Sequence, residues 1–336
     1  MRIMLIGEAW GEAEEQAHAP FMGAAGYELT RMLGEAGISR RDCYLTNVFN
    51  LRPQGNDIET LCGPIEEAIA GYPALAPSKY VHSRYAKELT RLGDEILAQN
   101  PNIILCLGNT PSWALMGRAS ISRNRGYTEL STHTVAGYKC LCTYHPAYIL
   151  RMWSDRPTVI IDFMKAKKES EHADIRRPAR EIWIEPDLDD LRRFEREELA
   201  SCAVLSVDIE TSGKLITCIG FAPRPGLALV VPFFDPRRAD RSYWPSHDVE
   251  LQAWRFVKRV LGLPCLKLFQ NGLYDIAFLY RSVGIKVRNA EHDTMLLHHA
   301  LQPESLKSLE FLGSIYTDEG PWKRMGRGRR TIKRED

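Results

Sequence analysis

The first 160 residues alternate short apolar runs with amphipathic, helix-like segments, and this alternation most constrains the fold. Apolar runs such as RIMLIG at 2–7 and NIILCLGN at 102–109 are separated by segments such as AGYELTRMLGEAG at 25–37. Strands that alternate with helices form a mostly parallel sheet with helices on both faces. We therefore predict a three-layer α/β/α domain in this part of the chain.

A polar, strongly charged stretch, KAKKESEHADIRRPARE at 165–181, interrupts the alternation. It has neither hydrophobic periodicity nor the apolar mass of a core, so it predicts an interdomain linker. After it, strand-like runs come first and helical patterns follow, which indicates a separate α/β unit. The 336 residues are thus divided into a domain at 1–166, a linker at 167–180 and a second domain at 181–336.

Charge and cysteine content narrow the class of protein only slightly. The formal net charge is +1, and the strongest basic block is KRMGRGRRTIKR at 323–334, which is either a solvated end or a phosphate-contacting segment. No run approaches the ~18 apolar residues of a membrane span, so we expect a cytoplasmic protein with no membrane partner. The eight cysteines include no CxxC pair and are expected to be reduced core residues.

Polar and aromatic side chains follow the predicted strands of the first domain. Glu8 ends the first strand, Phe21 lies in the segment after it, and Asn47 and His145 follow two later strands. Because the carboxyl ends of parallel strands meet at one edge, these four should surround one crevice. An acid, an aromatic ring, an amide and an imidazole suit a planar heterocycle, although each alone is more typical of a turn or cap.

Several linked motifs carry a family resemblance across nearly all of 1–160. They are GEAWGEAEEQAHAPFMGAAGYEL at 7–29, NVFNLRP at 47–53, ILCLGNTPSWALMG at 104–117, RNRG at 123–126 and TYHPAYILR at 143–151. Together they resemble the uracil-DNA glycosylase superfamily, in particular its iron–sulfur, thermophile-type family.

The resemblance implies a base-flipping enzyme that draws uracil into a pocket. In that pattern Gly7 and Ala9 lie beside the substrate and Phe21 stacks on the ring. The amide of Asn47 reads the polar edge of the base. His145 stabilises charge on the uracil oxygen, and Glu8 orients or activates water.

Two departures from the family pattern affect these expectations. The family holds an iron–sulfur cluster with four cysteines, but Leu51 occupies one of those places here and only Cys62 has a plausible counterpart. We therefore predict no iron–sulfur cluster. Trp10 replaces a small, rigid residue beside Glu8, and its indole is expected to narrow or block the pocket.

The sequence DIET at 208–211 places two acids in an apolar strand. Strand residues two apart share a face, so the carboxylates of Asp208 and Glu210 lie close together and repel unless a cation separates them. Oxygen ligands favour Mg²⁺ or Mn²⁺ over zinc. Asp275 is available as a third ligand, although an acid near a helix N-terminus also has a purely structural explanation.

VDIET, QNGLYD and HDTMLLHHAL resemble the proofreading 3′-5′ exonuclease domain of family A DNA polymerases, a DEDD nuclease with a ribonuclease H-like α/β fold. The resemblance makes Asp208, Glu210 and Asp275 catalytic ligands of two metal ions and places Asp293 near them. The family's fourth acid comes from a Tyr-x-x-x-Asp motif. Here Tyr280 leads to Gly284 and Tyr316 to Gly320, so we expect the carboxyl end of this domain to be incomplete or the motif to be lost.

A glycosylase-like domain followed by an exonuclease-like domain resembles the amino-terminal half of certain bacteriophage family A DNA polymerases. The two resemblances predict a DNA-processing enzyme of phage-type replication or repair in the host cytoplasm, combining uracil excision with metal-dependent 3′-end trimming. Its expected partners are DNA, single-stranded or at 3′ ends, and a polymerase subunit or domain. The alternatives are a weak or inactive DNA-binding accessory module and, more remotely, a metabolic nucleotide-binding protein.

Overall fold

The structure is a computed structural model that describes residues 2–321, and it divides into two compact units. The first unit contains residues up to Arg177 together with 310–321, and the second runs from Pro178 to Leu309. The basic block at 323–334 lies outside the described residues. Among those described, no helix is long and apolar enough to cross a membrane.

A mostly parallel sheet forms the centre of the first unit. The strands of this unit are β1 (Ile3–Ala9), β2 (Cys43–Phe49), β3 (Cys62–Gly63), β4 (Tyr80–Val81), β5 (Ile103–Leu107), β6 (Thr128–Leu130) and β7 (Lys139–Thr143). The main sheet has the order β2-β1-β5-β7-β6, in which only β6 is antiparallel, and β3 and β4 form a separate antiparallel pair. β5 and β7 are buried along their whole length, as expected for parallel strands covered on both faces.

Helices cover both faces of this sheet. They are α1 (Glu12–Ala17), α2 (Ala24–Glu35), α3 (Ala86–Gln99), α4 (Asn109–Met116), α5 (Ile121–Asn124), α6 (Pro146–Ile149) and α7 (Arg156–Glu169). α2 and α7 pack on the side chains of Ile3 and Leu5, whereas α3 and α4 pack on Met4 and Ile6, the alternate positions of β1. The predicted α/β/α layers are therefore confirmed.

The second unit is a mixed sheet with helices. Its strands are β8 (Glu181–Trp183), β9 (Val204–Ser212), β10 (Leu215–Arg224), β11 (Leu227–Pro232), β12 (Leu266–Phe269) and β13 (His292–Asp293). Its helices are α8 (Leu188–Phe194), continued by a π-helical turn at Glu195–Leu199, α9 (His247–Leu261), α10 (Leu273–Val283) and α11 (Thr294–Leu301).

The strand order of this sheet is β13-β12-β9-β10-β11-β8. β9, β10 and β11 form an antiparallel meander, and β12 and β13 run parallel to β9 on its other side. A three-stranded meander extended by two parallel strands beside its first strand is the arrangement of the ribonuclease H-like fold. The predicted fold class of the second part of the chain is therefore confirmed.

The last described helix, α12 (Leu309–Tyr316), belongs with the first unit. The buried Arg125 guanidinium donates to Ser314 Oγ at 3.0 Å, and the Lys165 ammonium donates to the Thr317 carbonyl at 2.8 Å. The sequence patterning had assigned 310–321 to the second domain. These charge-assisted hydrogen bonds to buried groups explain why the segment packs on the first unit instead.

The segment predicted as a linker begins later than the sequence indicated. Helix α7 continues to Glu169, and the buried Lys139 ammonium donates to Glu169 Oε2 at 2.9 Å and to the His172 carbonyl at 2.8 Å. A buried ammonium requires such acceptors, so Lys139 fixes the first part of this charged stretch. The two compact units divide between Arg177 and Pro178.

Candidate active site

Gly7 allows three parts of the first unit to approach one another closely. It lies near the end of β1, directly beside Asn47 of β2. A Cβ atom on Gly7 would lie 2.2 Å from Asn47 Oδ1 and 2.6 Å from Phe21 Cζ. Real Cβ atoms do not make such contacts, so only glycine permits this meeting of amide and aromatic ring.

Two side chains hold the loop that carries Phe21. The ring is buried, and the residue has a backbone φ of +57°, a left-handed conformation that costs a non-glycine residue free energy. Arg40 donates to the Phe21 carbonyl at 3.0 Å, and Glu14 Oε1 accepts from the amides of Met22 at 2.8 Å and Gly23 at 2.9 Å. These contacts hold Phe21 in place, and no sequence pattern predicted a role for Arg40 or Glu14.

Asn47 is buried at the end of β2 with a relative exposure of 2%. Arg91 fixes the strand end, because its Nη2 donates to the carbonyls of Asn47 at 2.8 Å and Val48 at 2.9 Å. Among the described residues, the side-chain Nδ2 of Asn47 has no hydrogen-bond partner. Buried amide groups are normally satisfied, so this donor is available to a ligand.

His145 is held as a neutral hydrogen-bond donor. It caps the N-terminus of α6, where its Nδ1 accepts from the Ala147 amide at 3.2 Å. Burial lowers the pKa of His145 to about 4, and nearby Arg151 contributes in the same direction. With Nδ1 accepting, the ring proton lies on Nε2, which can therefore donate at neutral pH. The rings of His145 and Phe21 are 6.0 Å apart and inclined by 28°.

Glu8 is the second-last residue of β1 and is partly buried. Thr110, in the first turn of α4, donates its hydroxyl to Glu8 Oε2 at 2.5 Å. Burial raises the pKa of Glu8 above that of an ordinary carboxyl group, while the Thr110 hydrogen bond opposes the shift. The two residues are far apart in sequence, so no local pattern predicted a role for Thr110.

These side chains surround one cavity of about 200 Å³. The predicted residues that line it are Glu8, Ala9, Phe21, Asn47 and His145. Gly7 lies beneath them, where a side chain would displace two of them. The structure therefore brings the six residues predicted for this site together.

Trp10 lines the cavity without closing it. Its indole contacts the ring of His18 edge-on, with ring centroids 5.9 Å apart, and its amide donates to the Leu51 carbonyl at 3.1 Å. Its Nε1 has no hydrogen-bond partner among the described residues. Trp10 was expected either to narrow the pocket or to block it. The cavity of about 200 Å³ that stays open beside its indole excludes a blocked pocket.

The residues at the places of the family's cluster cysteines make ordinary contacts. Leu51 accepts the hydrogen bond from Trp10, and burial raises the pKa of the Cys62 thiol. Within 2–321, no group of three or more His, Cys, Asp or Glu side chains is arranged to hold a metal ion. The expected lack of an iron–sulfur cluster stays a prediction.

The predicted acids of the second unit occupy two different environments. Asp208 and Glu210 are exposed at alternate positions of β9, whereas Val207 and Ile209 are buried. Asp275 is 5% exposed, and its Oδ1 accepts from the Ile209 amide at 3.1 Å. Burial raises the pKa of Asp275 to about 6, and the negative charge of Asp208 contributes.

Three carboxylates near one strand suit a hard divalent cation chemically. The side chains as they stand do not form a ligand group in the described part of the chain. Metal binding by Asp208, Glu210 and Asp275 stays a prediction.

Asp293 has a structural role that accounts for its position. It caps α11, accepting from the Met295 amide at 2.8 Å, and its other oxygen accepts from the Gly272 amide at 2.8 Å. The carboxylate thereby joins the starts of α11 and α10. Gly284, four residues after Tyr280, ends α10 with a φ of +67°, a conformation that glycine adopts without strain.

At the strand ends of the α/β/α sheet, an acid, an amide, an aromatic ring and an imidazole enclose one cavity, and this set of groups is chemically suited to a flat polar ring. The family model described as the uracil DNA glycosylase superfamily matches residues 1–169, half of the chain. The chain belongs to that superfamily, and the resemblance predicted from the motifs is confirmed.

Type-4 uracil-DNA glycosylases are among the similar curated proteins. The enzyme of Thermotoga maritima is 35% identical over 170 residues, which cover 49% of this chain and 76% of the relative. The enzyme of Saccharolobus solfataricus is 37% identical over 174 residues, covering 49% of this chain and 70% of the relative.

Crystal structures of the EXD2 exonuclease domain resemble part of the chain. One, soaked in Mn and GMP, is 18% identical, covers 43% of this chain and 72% of its own, and gives a TM-score of 0.27. A second, soaked in Mg and GMP, is 18% identical, covers 46% and 76% and gives a TM-score of 0.28. The second unit shows its ribonuclease H-like fold in its own strand order.

Proposed function

We propose that the first unit removes uracil from DNA by hydrolysing the bond between the base and the sugar. The observation that carries this proposal is the convergence of Glu8, Phe21, Asn47 and His145 on one cavity of about 200 Å³. Membership of the superfamily supports it. A base stacked inside a DNA duplex cannot reach a pocket at the ends of the β-strands, so the nucleotide must first be extruded from the duplex.

The pocket is suited to bind a flipped uracil before any bond breaks. The Phe21 ring offers a stacking surface, and the unpartnered Nδ2 of Asn47 offers a donor to a carbonyl of the base. Gly7 keeps ring and amide close enough to act on one small ligand. These contacts restrict the base to a single orientation.

Bond cleavage leaves negative charge on the uracil ring and positive charge on the sugar. The Nε2–H of neutral His145 would donate to the uracil oxygen as that charge develops. Ionised Glu8 would orient a water molecule toward the sugar carbon and accept its proton. The sugar keeps the hydroxyl of the water, the uracil anion leaves and takes up a proton from solvent, and Glu8 returns its proton to solvent, so the products are free uracil and an abasic site.

The test uses end-labelled single-stranded DNA containing one uracil, incubated with the full chain in EDTA and then treated with alkali. We expect a break at the uracil with the wild type and loss of the break in Glu8→Gln and His145→Ala. Glu66→Gln, which changes an exposed carboxylate, is the matched control and should cleave normally. Complete absence of abasic product with the wild type would refute the proposal.

A second activity, metal-dependent removal of nucleotides from a 3′ end, is favoured by the three acids of the second unit. Asp208, Glu210 and Asp275 would hold Mg²⁺ or Mn²⁺, which would activate water and stabilise the leaving oxygen. The chain's own contribution is to fix Asp275 through the Ile209 amide and to present the other two acids on one face of β9. We infer that binding of the cation draws the exposed pair toward Asp275.

The nuclease test adds magnesium to the same labelled single strand without uracil. A ladder of products shortened from the 3′ end is expected, and Asp208→Ala should abolish it. Glu291→Gln, an exposed acid of the same unit, should retain it. Cleavage that persists in Asp208→Ala would assign the activity elsewhere.

We further propose that both units serve DNA replication or repair beside a family A DNA polymerase of phage type, in the cytoplasm of the infected host. The pairing of the two predicted domain types supports this context. The competing proposal is an accessory module that binds uracil-containing or single-stranded DNA without cutting it. Tight binding by wild-type chain that yields neither abasic sites nor ladders would favour the accessory role.

A further inference from the structure

A single carboxylate, that of Glu14, joins the segment that follows β1 to the segment that carries Phe21. Its Oε2 accepts from the amide of Gly11 at 3.1 Å, two residues beyond the end of β1. Its Oε1 accepts from the amides of Met22 at 2.8 Å and Gly23 at 2.9 Å, directly after Phe21. Gly11 and Gly23 are the N-cap residues of α1 and α2, so one side chain fixes the starts of both helices. We call these three hydrogen bonds the Glu14 bridge.

Backbone amides, rather than a cation, keep Glu14 ionised. Burial raises the pKa of Glu14, but the hydrogen bonds of the bridge together lower it below its ordinary value. Within 2–321 Glu14 forms no ion pair, and Arg52 pairs instead with Glu12 at 3.6 Å and Glu15 at 3.4 Å. An ionised carboxylate accepts hydrogen bonds through both oxygens at once. This form is the one that can bind two segments of the chain together.

We propose that Glu14 is a positioning residue that sets the separation of Glu8 from Phe21 in the cavity that all three line. The proposal rests on the proposed uracil excision, in which Glu8 serves the water and the sugar while Phe21 holds the base. Both must be in place at once, and a misplacement of about 1 Å can cost roughly 100-fold in rate. Phe21 also has a φ of +57°, a strained conformation that persists only when surrounding contacts support it.

Two substitutions of Glu14 separate its contacts with the two segments. In Glu14→Gln the new amide oxygen can keep the hydrogen bonds from Met22 and Gly23. Its NH₂ group then faces the N–H of Gly11, and two donors cannot pair. The segment after β1 is loosened while the Phe21 segment stays, so kcat for uracil excision should fall about tenfold with KM nearly unchanged. Glu14→Ala loses the whole bridge, so KM should rise as well, a distinction that a general loss of stability would not produce.

The two N-cap glycines provide a matched pair of variants that leave Glu14 itself unchanged. A Cβ atom on Gly11 would lie 2.8 Å from Glu14 Oε2 and displace it, whereas a Cβ atom on Gly23 would lie 3.6 Å from Glu14 Oε1, an ordinary contact. Their φ values of −91° and −85° are both accessible to alanine. Gly11→Ala should therefore lower kcat as Glu14→Gln does, and Gly23→Ala should excise uracil as the wild type does.

Hydrogen exchange of the three bridge amides, followed by NMR of the full chain, tests the bridge without catalysis. Glu14→Gln and Gly11→Ala should speed exchange at the amide of residue 11 alone, and Glu14→Ala should speed it at all three. The proposal is overturned if Glu14→Gln keeps the wild-type kcat, if Gly23→Ala loses as much activity as Gly11→Ala, or if exchange at residue 11 is unchanged in Glu14→Gln. A wild type that yields no abasic site refutes uracil excision instead, and the exchange pattern then decides whether Glu14 joins the two segments.

Discussion

The carboxylates of the two units differ in how completely the protein has prepared them. Glu8 is partly buried near a strand end, receives a hydrogen bond from Thr110 and lines a cavity whose other walls are already in place. Asp208 and Glu210 are exposed on β9, and Asp275 accepts a hydrogen bond from the Ile209 amide. The side chains of the first site already enclose a cavity, whereas the acids of the second unit do not form a ligand group among the described residues. We therefore expect the first site to bind its ligand with little rearrangement and a cation to draw the acids of the second site together.

We expect the largest effect on the first site from a methyl group at Gly7. Gly7→Ala places a Cβ against Asn47 Oδ1 and Phe21 Cζ, so one of them must move and the prepared pocket is lost. We expect kcat/KM for uracil excision to fall by about 10²- to 10³-fold, as for loss of one aligned transition-state contact. Gly34→Ala, in a helix with open space around it, is the matched control. Retained activity in Gly7→Ala would show that the close contact is unimportant.

Metal ions should distinguish the second unit from the first. At a concentration about 100 times its dissociation constant, Mn²⁺ should stabilise the folded wild type by about 2.7 kcal/mol. Asp275→Asn should lose most of this gain, and Glu291→Gln should keep it. The measurement is the melting temperature followed by circular dichroism with and without Mn²⁺. If Mn²⁺ raises the melting temperature equally in the wild type and in Asp275→Asn, the ion does not bind at Asp275.

The pH dependence sharpens the description of the first site. Glu8 must be ionised to accept a proton, and its pKa is raised, so kcat/KM should fall about tenfold per pH unit below that raised value. His145, with a pKa of about 4, stays neutral through most of this range. Thr110→Val removes the hydrogen bond that lowers the pKa of Glu8, so the acid limb should move to higher pH. If the acid limb of the kcat/KM profile stays at the same pH in Thr110→Val, the limb does not report the ionisation of Glu8. Thr90→Val, on the exposed face of α3, is the control.

The smallest effect is expected at Trp10. Its indole N–H has no partner among the described residues, so Trp10→Phe removes an unsatisfied donor and should leave stability unchanged or raise it by up to about 1 kcal/mol. Trp113→Phe is the matched contrast, because Trp113 Nε1 donates to the Pro73 carbonyl at 2.7 Å. Loss of this hydrogen bond should destabilise the folded protein. Urea unfolding measures both, and a destabilised Trp10→Phe would show that the indole N–H is satisfied.

Sequence patterns predicted the layers of the first unit well because parallel strands covered on both faces are nearly all apolar, as β5 is. The motifs also located the residues that line the pocket. The residues that hold them were missed because their roles depend on distant partners. Thr110 lies 102 positions from Glu8, and Arg40 acts on the carbonyl of Phe21. Local periodicity contains no signal for such pairs.

The path of the chain at α12 was also beyond prediction from the sequence. The run LEFLGSIY at 309–316 is apolar enough to pack against any core, and its place was set by the acceptors it offers to Arg125 and Lys165. The sequence of this run gives no sign that its polar groups accept hydrogen bonds from Arg125 and Lys165. Short apolar segments after a long insertion therefore need tertiary information to be assigned.

The position of α12 has a consequence for how the protein is made. A ribosome delivers residues in order, so most of the first unit emerges early but lacks α12 until the whole second unit has been synthesised. During that interval the Arg125–Asp162 ion pair, both members of which are buried in the finished protein, is without the side chain of Ser314 and the ring of Phe311 that later cover it. The nascent chain thus carries an unfinished surface, and completion of the first unit becomes a late event in biosynthesis.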